Sequence, residues 1–445
     1  MKYDLIDTQI PTLGEPKVDS PIRPAPMFNK DGQLVEKKFV RDTDRILVED
    51  HLNCLKRLQP GEEPLSFELA GPREKVYFDP YKLHCAIATC GGLCPGTNDV
   101  IRSIVLELYH LYKVRHIYGV RYGFQGFIPS YGHDLMELSP EAVVDIHSFG
   151  GTILSSSRGH QDIGEIVDAL DRLNVHLLFL IGGDGTLRAA DLICAEIAAR
   201  GLRIGIMVVP KTIDNDIAFV SRSFGFDTAV EIATQAIQAA HTEAAGAPNG
   251  IGLVKLMGRY SGFIAANAAL ALREVNFILI PEADFDIEGD YGLLERLEAR
   301  IKSRGHAVIL VAEGAGQKFF CQEDLPCDLS GNIKSGDIGV FLADKIKAYF
   351  HQRKMEITLK YIDPSYLIRS VPANYSDSIY CGFLGQNAVH AGMAGKTAML
   401  VSRWHGHYVH VPIKTAVSRR KEVELDSPLW RSVLESTGQP PLKNP

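Results

Sequence analysis

The sequence predicts an α/β protein with two Rossmann-like three-layer domains, mostly parallel sheets and an N-terminal extension. Two observations support this prediction. Residues 84–120 and 173–200 each combine apolar runs of strand length with segments of helical periodicity, and the same alternation starts again after about residue 225. Such alternation is typical of parallel sheets covered by helices. A chain of 445 residues also exceeds what one hydrophobic core usually supports, which favours two domains.

Residues 173–200 carry the strongest local pattern. Residues 175–181 form a continuous apolar run, as expected for a strand buried on both faces, and residues 187–200 have helical spacing. Between them, the letters GGDGT (residues 182–186) predict a tight turn that presents backbone N–H groups to an anion. Asp184 would repel a phosphate unless a cation lay between them, so we predict a Mg²⁺ contact there. A helix-capping aspartate in an ordinary turn is the alternative.

Composition excludes several functional classes. The net charge is −7 and no long basic run occurs, so nucleic acid is not an expected partner. No apolar run reaches the roughly 18 residues needed to cross a bilayer, and the first residues lack the pattern of a secretory signal. Eight cysteines form no paired CxxC motif, and Cys321 with Cys327 is too small a set for a zinc site. We therefore expect a cytoplasmic protein with reduced thiols.

Two further loops follow predicted strands, and a third candidate loop lies between them in the sequence. Residues 91–98 follow the strand 84–88, at the position where open α/β sheets bind ligands. Residues 150–158 are small and hydroxylated and end in Arg158, which suits a phosphate site, although a surface loop with a solvated arginine remains open. Residues 210–216 follow the strand 203–209, and their carboxylates Asp214 and Asp216 project to the same side. We predict one as a general base and the other near Mg²⁺.

The second domain repeats the pattern. Strands are predicted at 251–255, 277–280 and 307–312, with helices at 225–245, 263–272 and 334–354. Arg259 and Glu282 follow strands and suit a phosphorylated sugar, the cation for the phosphate and the carboxylate for hydroxyls; a simple Arg259–Glu282 ion pair is the alternative. Residues 360–370 are expected to be irregular, and the last ten residues to be a loose tail.

The predicted boundaries follow from this alternation. Residues 1–80 form an extension for packing or assembly, with prolines that oppose regular structure and one helix at 44–58. Residues 81–225 are predicted to form a first α/β domain with the candidate phosphate loops, which a helix at 376–393 and a strand at 397–402 complete within about 370–415. Residues 226–369 form a sugar-phosphate-binding domain, and residues 416–445 a C-terminal segment.

Six motifs in this order resemble the phosphofructokinase family over roughly residues 72–415. They are GGLCPGTN, GGTILSSSR, GGDGT, PKTIDND, MGR with a downstream PE, and YIDPSYLIR. GGDGT also occurs in NAD kinases and lipid kinases, whereas PKTIDND together with MGR is specific. The long N-terminus and the spelling PSYLIR are most similar to the plant and trypanosome branch.

The resemblance implies a role for each matching residue. The catalytic positions are Lys211, Thr212, Asp214 (the proton acceptor) and Arg259. The nucleotide positions are Gly91, Arg158, Gly159, Gly183, Asp184, Gly185 and Thr186, and the metal positions are Asp184 and Asp216. The fructose 6-phosphate positions are Thr212, Ile213, Asp214, Met257, Gly258, Arg259, Glu282, Lys360, Tyr366, Leu367, Ile368 and Arg369.

The resemblance further implies an ATP- and Mg²⁺-dependent kinase of glycolysis that phosphorylates fructose 6-phosphate at the 1-hydroxyl in a cleft between the domains. It implies a homotetramer or homodimer, because the family often places an arginine from a neighbouring subunit where Lys360 stands, and it implies an allosteric enzyme. A pyrophosphate-dependent enzyme of the same family is the main rival. Another GGDGT kinase and a non-catalytic regulatory subunit are weaker ones, because TIDND and MGR are complete.

Overall fold

A computed structural model of the chain describes residues 6–22, 27–35, 39–56, 58, 61–320 and 336–445. These residues divide between two compact units. The first unit comprises residues up to Thr212, Ile217–Phe224 and Pro372–Arg420, and the second comprises Ile213–Asp216, Gly225–Val371 and Lys421–Pro445. Two features of the sequence analysis lie outside the described residues: Cys321 with Cys327, and the start of the predicted helix 334–354.

The strands run in chain order as follows: β1 Val18–Asp19, β2 Met27–Phe28, β3 Leu34–Val35, β4 Arg45–Leu47, β5 Ser66–Leu69, β6 Lys75–Val76, β7 His84–Thr89, β8 His116–Val120, β9 Leu135–Glu137, β10 Leu177–Gly182, β11 Gly205–Pro210, β12 Gly250–Leu256, β13 Phe277–Leu279, β14 His306–Ala312, β15 Thr358–Ile362, β16 Met399–Trp404 and β17 His407–Pro412. The helices are α1 Leu52–Leu55, α2 Thr97–Leu106, α3 Ile163–Arg172, α4 Asp184–Ala199, α5 Phe226–Ala245, α6 Phe263–Leu272, α7 Leu293–Arg304, α8 Ile338–Gln352, α9 Tyr375–Met393, α10 Ile413–Ala416 and α11 Pro428–Thr437.

The first unit is built on a nine-stranded sheet of order β4-β5-β17-β16-β11-β10-β7-β8-β9. Its central strands β16, β11, β10, β7 and β8 are parallel, because helices such as α2 and α4 return the chain to the same edge. β10 and β11 are buried along their whole length, as their apolar runs predict. The flanking strands β17, β5, β4 and β9 pair antiparallel.

The second unit contains a four-stranded parallel sheet of order β13-β14-β12-β15. Apolar side chains from β12, β14 and α8, among them Leu253, Ile309 and Ile346, form its core. Together the two sheets confirm the predicted fold class: mixed α/β units with mostly parallel sheets.

Three local predictions are wrong. Residues 44–58 are not one helix, because Arg45–Leu47 pairs with Ser66–Leu69 as β4 and leaves the four-residue α1. Residues 360–362 are not irregular, since they belong to β15 beside β12. The last ten residues are not loose: Leu442 is buried, and Ile278 donates its backbone N–H to Gln439 Oε1 at 2.6 Å. In each case a distant partner supplies the hydrogen bonds or the apolar contact that local patterns do not reveal.

The predicted boundaries also differ from the units. The proposed extension belongs to the first unit, with β5 inside its main sheet, and β17 was not predicted. Residues 421–445 pack in the second unit rather than forming a separate segment. Among the described helices, none combines the length and the apolar composition that crossing a membrane requires.

Candidate active site

In the first unit, the carboxyl ends of three neighbouring strands lie level. β10 pairs with β7 at Ile181–Thr89 and with β11 at Gly182–Pro210. The loops that follow these strands therefore begin side by side, and they carry Gly91, Gly183 and Lys211. This is the edge at which open α/β sheets bind ligands.

The glycine turn is shorter than the sequence predicts. α4 begins at Asp184 with Gly183 as its N-cap, so Gly185 and Thr186 lie in the first helical turn. Thr186 is buried, and a Cβ at Gly182 would lie 2.2 Å from its Oγ1, which explains a glycine there. The backbone N–H groups of this turn and the positive end of the helix dipole favour an anion.

Hydrogen bonds join the other three predicted loops at this edge of the sheet. Gly91 donates its N–H to Ser157 O at 3.2 Å, and Ser156 Oγ donates to Gly91 O at 2.6 Å. Arg158 follows directly and is exposed, with Gly159 in a positive-φ conformation. Lys211 donates its N–H to Gly182 O at 2.8 Å and its ammonium to Gly92 O. These contacts place Gly91 beside the loop that carries Arg158, and Lys211 beside Gly182 at the start of the glycine turn; nucleotide binding by these loops stays a prediction.

Asp184 is already paired with two cations. Arg188 contacts its carboxylate with Nε at 3.2 Å and Nη2 at 3.3 Å, and Arg420 Nη2 lies 3.1 Å from Oδ2. Oδ2 already accepts two of these contacts, whereas Oδ1 accepts one and keeps a lone pair with which the group can still bind a metal. One carboxylate at a helix N-terminus fits Mg²⁺, which is usually held by few protein ligands and by substrate phosphates. The predicted capping role has no support, because Gly183 is the N-cap.

The second unit repeats the alignment of strand ends. β12 pairs with β14 at Leu256–Ala312, and β14 pairs with β13 at Val311–Leu279. Met257–Arg259, Glu313 and Glu282 follow these ends. Gly258 has a φ of +129°, and a Cβ there would lie 2.5 Å from Ser261 O, so the MGR turn requires glycine. Ser261 Oγ in turn donates to Asp214 O at 2.8 Å.

Asp214 lies in an environment rich in negative charge. Burial, together with the carboxylates of Asp216 and Glu313, raises its pKa to about 8, although the charge of Arg259 and a backbone hydrogen bond from Arg259 act in the opposite direction. Burial also raises the pKa of Glu313, against the charges of Arg259 and Lys255. A carboxylate with a raised pKa beside an arginine is suited to accept a proton from a hydroxyl group.

Glu282 is held by backbone groups. Its Oε1 accepts N–H groups from Gly262 at 2.9 Å and Val423 at 2.8 Å, whereas its Oε2 is buried and has no hydrogen-bond partner among the described residues. The alternative of an Arg259–Glu282 ion pair is therefore wrong within the described residues. Oε2 can therefore accept a hydrogen bond from a ligand hydroxyl. Burial raises the pKa of the Glu282 carboxyl.

The YIDPSYLIR segment is divided between surface and core. Tyr366 and Leu367 are exposed, and the Arg369 guanidinium lies 5.0 Å from the Tyr366 ring centroid. Ile368 is fully buried, so its side chain belongs to the core and is not available to a ligand. Lys360 lies on the edge strand β15, with its ammonium 3.8 Å from Glu243. Contacts of these residues with a sugar phosphate stay predictions.

Comparison with known proteins identifies the family of this chain. The family model described as Phosphofructokinase matches residues 84–392. The chain belongs to the phosphofructokinase family. It is 51% identical to the ATP-dependent 6-phosphofructokinase of Borreliella burgdorferi, over 99% of this chain and 98% of that protein. It is 47% identical to the ATP-dependent 6-phosphofructokinase of Trypanosoma brucei brucei, over 90% of this chain and 82% of that protein.

Solved structures of the family share the fold. The pyrophosphate-dependent phosphofructokinase from Marinobacter aquaeolei superposes with a TM-score of 0.66 at 20% identity, covering 82% of this chain and 93% of that one. A phosphofructokinase from Pichia pastoris gives 0.61 at 21% identity, covering 76% of this chain and 35% of the other. At these identities the likeness concerns the fold alone.

Four charged residues that contact or influence the predicted site acids were not identified from the family motifs. Arg188 and Arg420 contact Asp184, and Glu313 raises the pKa of Asp214. Lys421 donates its backbone N–H to Asp216 O at 2.9 Å; burial lowers the pKa of its ammonium to about 8, against the attraction of Asp216. The sequence could have indicated Glu313, because it directly follows a buried strand. It could not have indicated residues 420–421, which follow no strand or glycine turn.

Proposed function

We infer that this protein transfers the γ-phosphoryl group of ATP to the 1-hydroxyl of D-fructose 6-phosphate, giving fructose 1,6-bisphosphate and ADP as a step of glycolysis. The observation that supports it best is Asp214: a buried carboxylate of raised pKa, in the TIDND motif, with Arg259 beside it. Relatives at 44–51% identity over nearly the whole chain carry the name of this reaction.

In this proposal Asp214 accepts the proton of the attacking hydroxyl. Arg259 binds the sugar phosphate through the planar set of N–H donors of its guanidinium group, and Glu282 Oε2 accepts a hydrogen bond from a sugar hydroxyl. Phosphoryl transfer depends mainly on positioning and charge neutralisation, so these fixed groups need no covalent step.

The donor site of the first unit holds the nucleotide phosphates. The backbone N–H groups of residues 183–186 point to them, and Lys211 and Arg158 supply positive charge. Mg²⁺, when bound at Asp184, neutralises donor phosphates. Asp216 as a second magnesium residue stays a prediction, and Lys421 already lies beside it.

Two residues favour different donors. Gly185 leaves room: a Cβ there would meet nothing within 4 Å, which supports access by the α-phosphate of ATP. The resemblance to the family implies that pyrophosphate-using members carry aspartate at this position and pair it with a lysine at the position of Lys211. We propose ATP as the donor because Gly185 leaves space for the α-phosphate. The presence of Lys211 does not exclude ATP, since the flexible lysine side chain can rotate away from the nucleotide.

Initial rates with fructose 6-phosphate and either ATP or pyrophosphate test this choice. We expect faster turnover with ATP, a sharp loss of ATP use in Gly185→Asp, and impaired catalysis in Lys211→Ala. Faster turnover of the unmodified protein with pyrophosphate would contradict the proposal.

Assembly, allosteric control and a cytoplasmic location also belong to the proposal. Lys360 is half exposed on an edge strand, which supports a role towards a neighbouring copy in a homotetramer or homodimer. Light scattering under assay conditions tests this point, because an active, strictly monomeric species would refute it.

A further inference from the structure

The carboxylate of Asp184 is shared by two guanidinium groups of the first unit. Arg188, one helical turn further along α4, contacts both oxygens and donates from Nη2 to Val417 O at 3.3 Å. Arg420 follows α10 and approaches Oδ2 at 3.1 Å. An isolated β-bridge between Ile217 and Arg420 fixes its backbone. Two separate segments therefore deliver arginines to one acid.

The charge balance of this group favours an anion. One carboxylate and two guanidinium groups sum to one positive charge, at a helix N-terminus that already favours negative charge. Asp184 and Arg420 expose 26% and 30% of their side chains, so a ligand can reach both. Lys211 adds a further cation at the adjacent strand end.

We propose that Arg420 is a donor-binding residue that contacts the polyphosphate of ATP, while Arg188 holds Asp184 in position. The division follows from the contacts. Arg188 is tied to both carboxylate oxygens and to a backbone carbonyl, whereas Arg420 reaches the same acid from a different segment. A guanidinium offers a planar set of donors that matches phosphate oxygens, and Asp184 is needed for the metal once the nucleotide binds. The inference rests on the proposed use of ATP.

Arg419 provides a matched control. It is the neighbouring arginine, it is exposed, and its guanidinium lies 4.8 Å from the Phe219 ring centroid. Arg419→Met and Arg420→Met thus remove the same group one residue apart, and only the second removes a contact with Asp184. Arg420→Lys keeps the charge but loses the planar fork.

The test is equilibrium binding by calorimetry to the full-length protein, with ATP in EDTA and separately with fructose 6-phosphate. We expect Arg420→Met to weaken binding of metal-free ATP at least about tenfold, as for a lost hydrogen bond to a charged group. Arg420→Lys should weaken it less, and Arg419→Met should bind as the unmodified protein does. Fructose 6-phosphate affinity should stay within about twofold in all three.

Unchanged ATP affinity in Arg420→Met would overturn the proposal. So would a parallel loss of ATP and sugar-phosphate affinity with a lower melting temperature, since that result indicates a structural ion pair only. If Arg420→Met does not fold, an ATP affinity of Arg420→Lys equal to that of the unmodified protein overturns it, and a selective loss supports it. The proposed function fails by a different result: no ATP-dependent phosphorylation of fructose 6-phosphate by the unmodified protein.

Discussion

Glu68 in the first unit is buried and Asp214 in the second has a buried Oδ1, but the charges around these two acids differ in sign. Glu68 accepts hydrogen bonds from Arg73 at 2.7 Å, Lys396 at 3.0 Å and His410 at 3.0 Å. Burial alone raises its pKa, yet the hydrogen bond from His410 and the charge of Lys396 lower it to about 2. Asp214 lies beside two other carboxylates, and its pKa is raised to about 8.

The difference in surrounding charge suits Glu68 to stabilising the fold and Asp214 to the proposed proton transfer. Glu68 joins strand β5 to Lys396 and to His410 on β17, so its charge is compensated and serves the fold. The charge of Asp214 is only partly compensated, by Arg259, so folding keeps a group that readily takes up a proton. A buried acid among cations keeps a low pKa, whereas an acid beside other acids takes up a proton more readily.

The largest expected effect is on catalysis at Asp214. Asp214→Asn should lower kcat at least about 10²-fold, because the amide cannot accept the proton of the hydroxyl. At pH 9 the free energy of unfolding of this variant should equal or exceed that of the unmodified protein, because the repulsion between Asp214 and the carboxylates of Asp216 and Glu313 is removed. Steady-state kinetics and urea unfolding measure the two. Near-normal kcat would show that Asp214 is not the base.

Glu68→Gln should give the reverse pattern. Loss of the charge leaves Arg73 and Lys396 buried with less compensation, so unfolding free energy at neutral pH should fall by about 3 kcal/mol while kcat changes little. Because the folded pKa lies below the unfolded one, this stabilisation should be present above pH 4.5 and be lost as the pH falls towards 2.

Glu15→Gln, at an exposed position, is the control for this loss of charge and should leave stability unchanged. Equal unfolding curves for Glu68→Gln and the unmodified protein at pH 7 would remove the contrast between the two acids.

Arg259→Ala tests the cation that partly compensates Asp214. We expect the KM for fructose 6-phosphate to rise at least about tenfold, as for a lost charge-assisted hydrogen bond, with the KM for ATP nearly constant. Initial-rate kinetics with each substrate varied in turn measure both. A rise in the KM for ATP alone would mean that Arg259 belongs to the donor site.

The smallest expected effect is a shift of the pH profile in Glu313→Gln. The Glu313 carboxylate raises the pKa of Asp214, so its removal should lower that pKa. A base acts in its ionised form, so the acidic limb of kcat/KM should move to lower pH. Rates between pH 6 and 9.5 show the limb, with ATP affinity as the control. An unmoved limb would exclude Glu313 as the group that sets the pKa of Asp214.

The sequence by itself determined the elements that depend on local pattern. β7, β10, β11 and β12 were predicted within two residues at each end, because strands buried on both faces are continuous apolar runs. The glycine turns and TIDND were placed at strand ends for the same reason. Tertiary structure alone decided that β5 pairs with β17, because these two strands come from opposite ends of the chain. β4 and β17 were also not predicted, although their partners β5 and β16 lie nearer in sequence.

Tertiary structure also decided which charges meet. Glu68 with His410, Asp184 with Arg420 and Asp216 with Lys421 are pairs separated by more than 200 residues. No local spacing encodes such a pair, because it depends on strand order and on where a distant segment returns. The pKa of Asp214 follows the same rule: its motif identifies the acid, but only packing places Glu313 and Arg259 near enough to change its affinity for a proton.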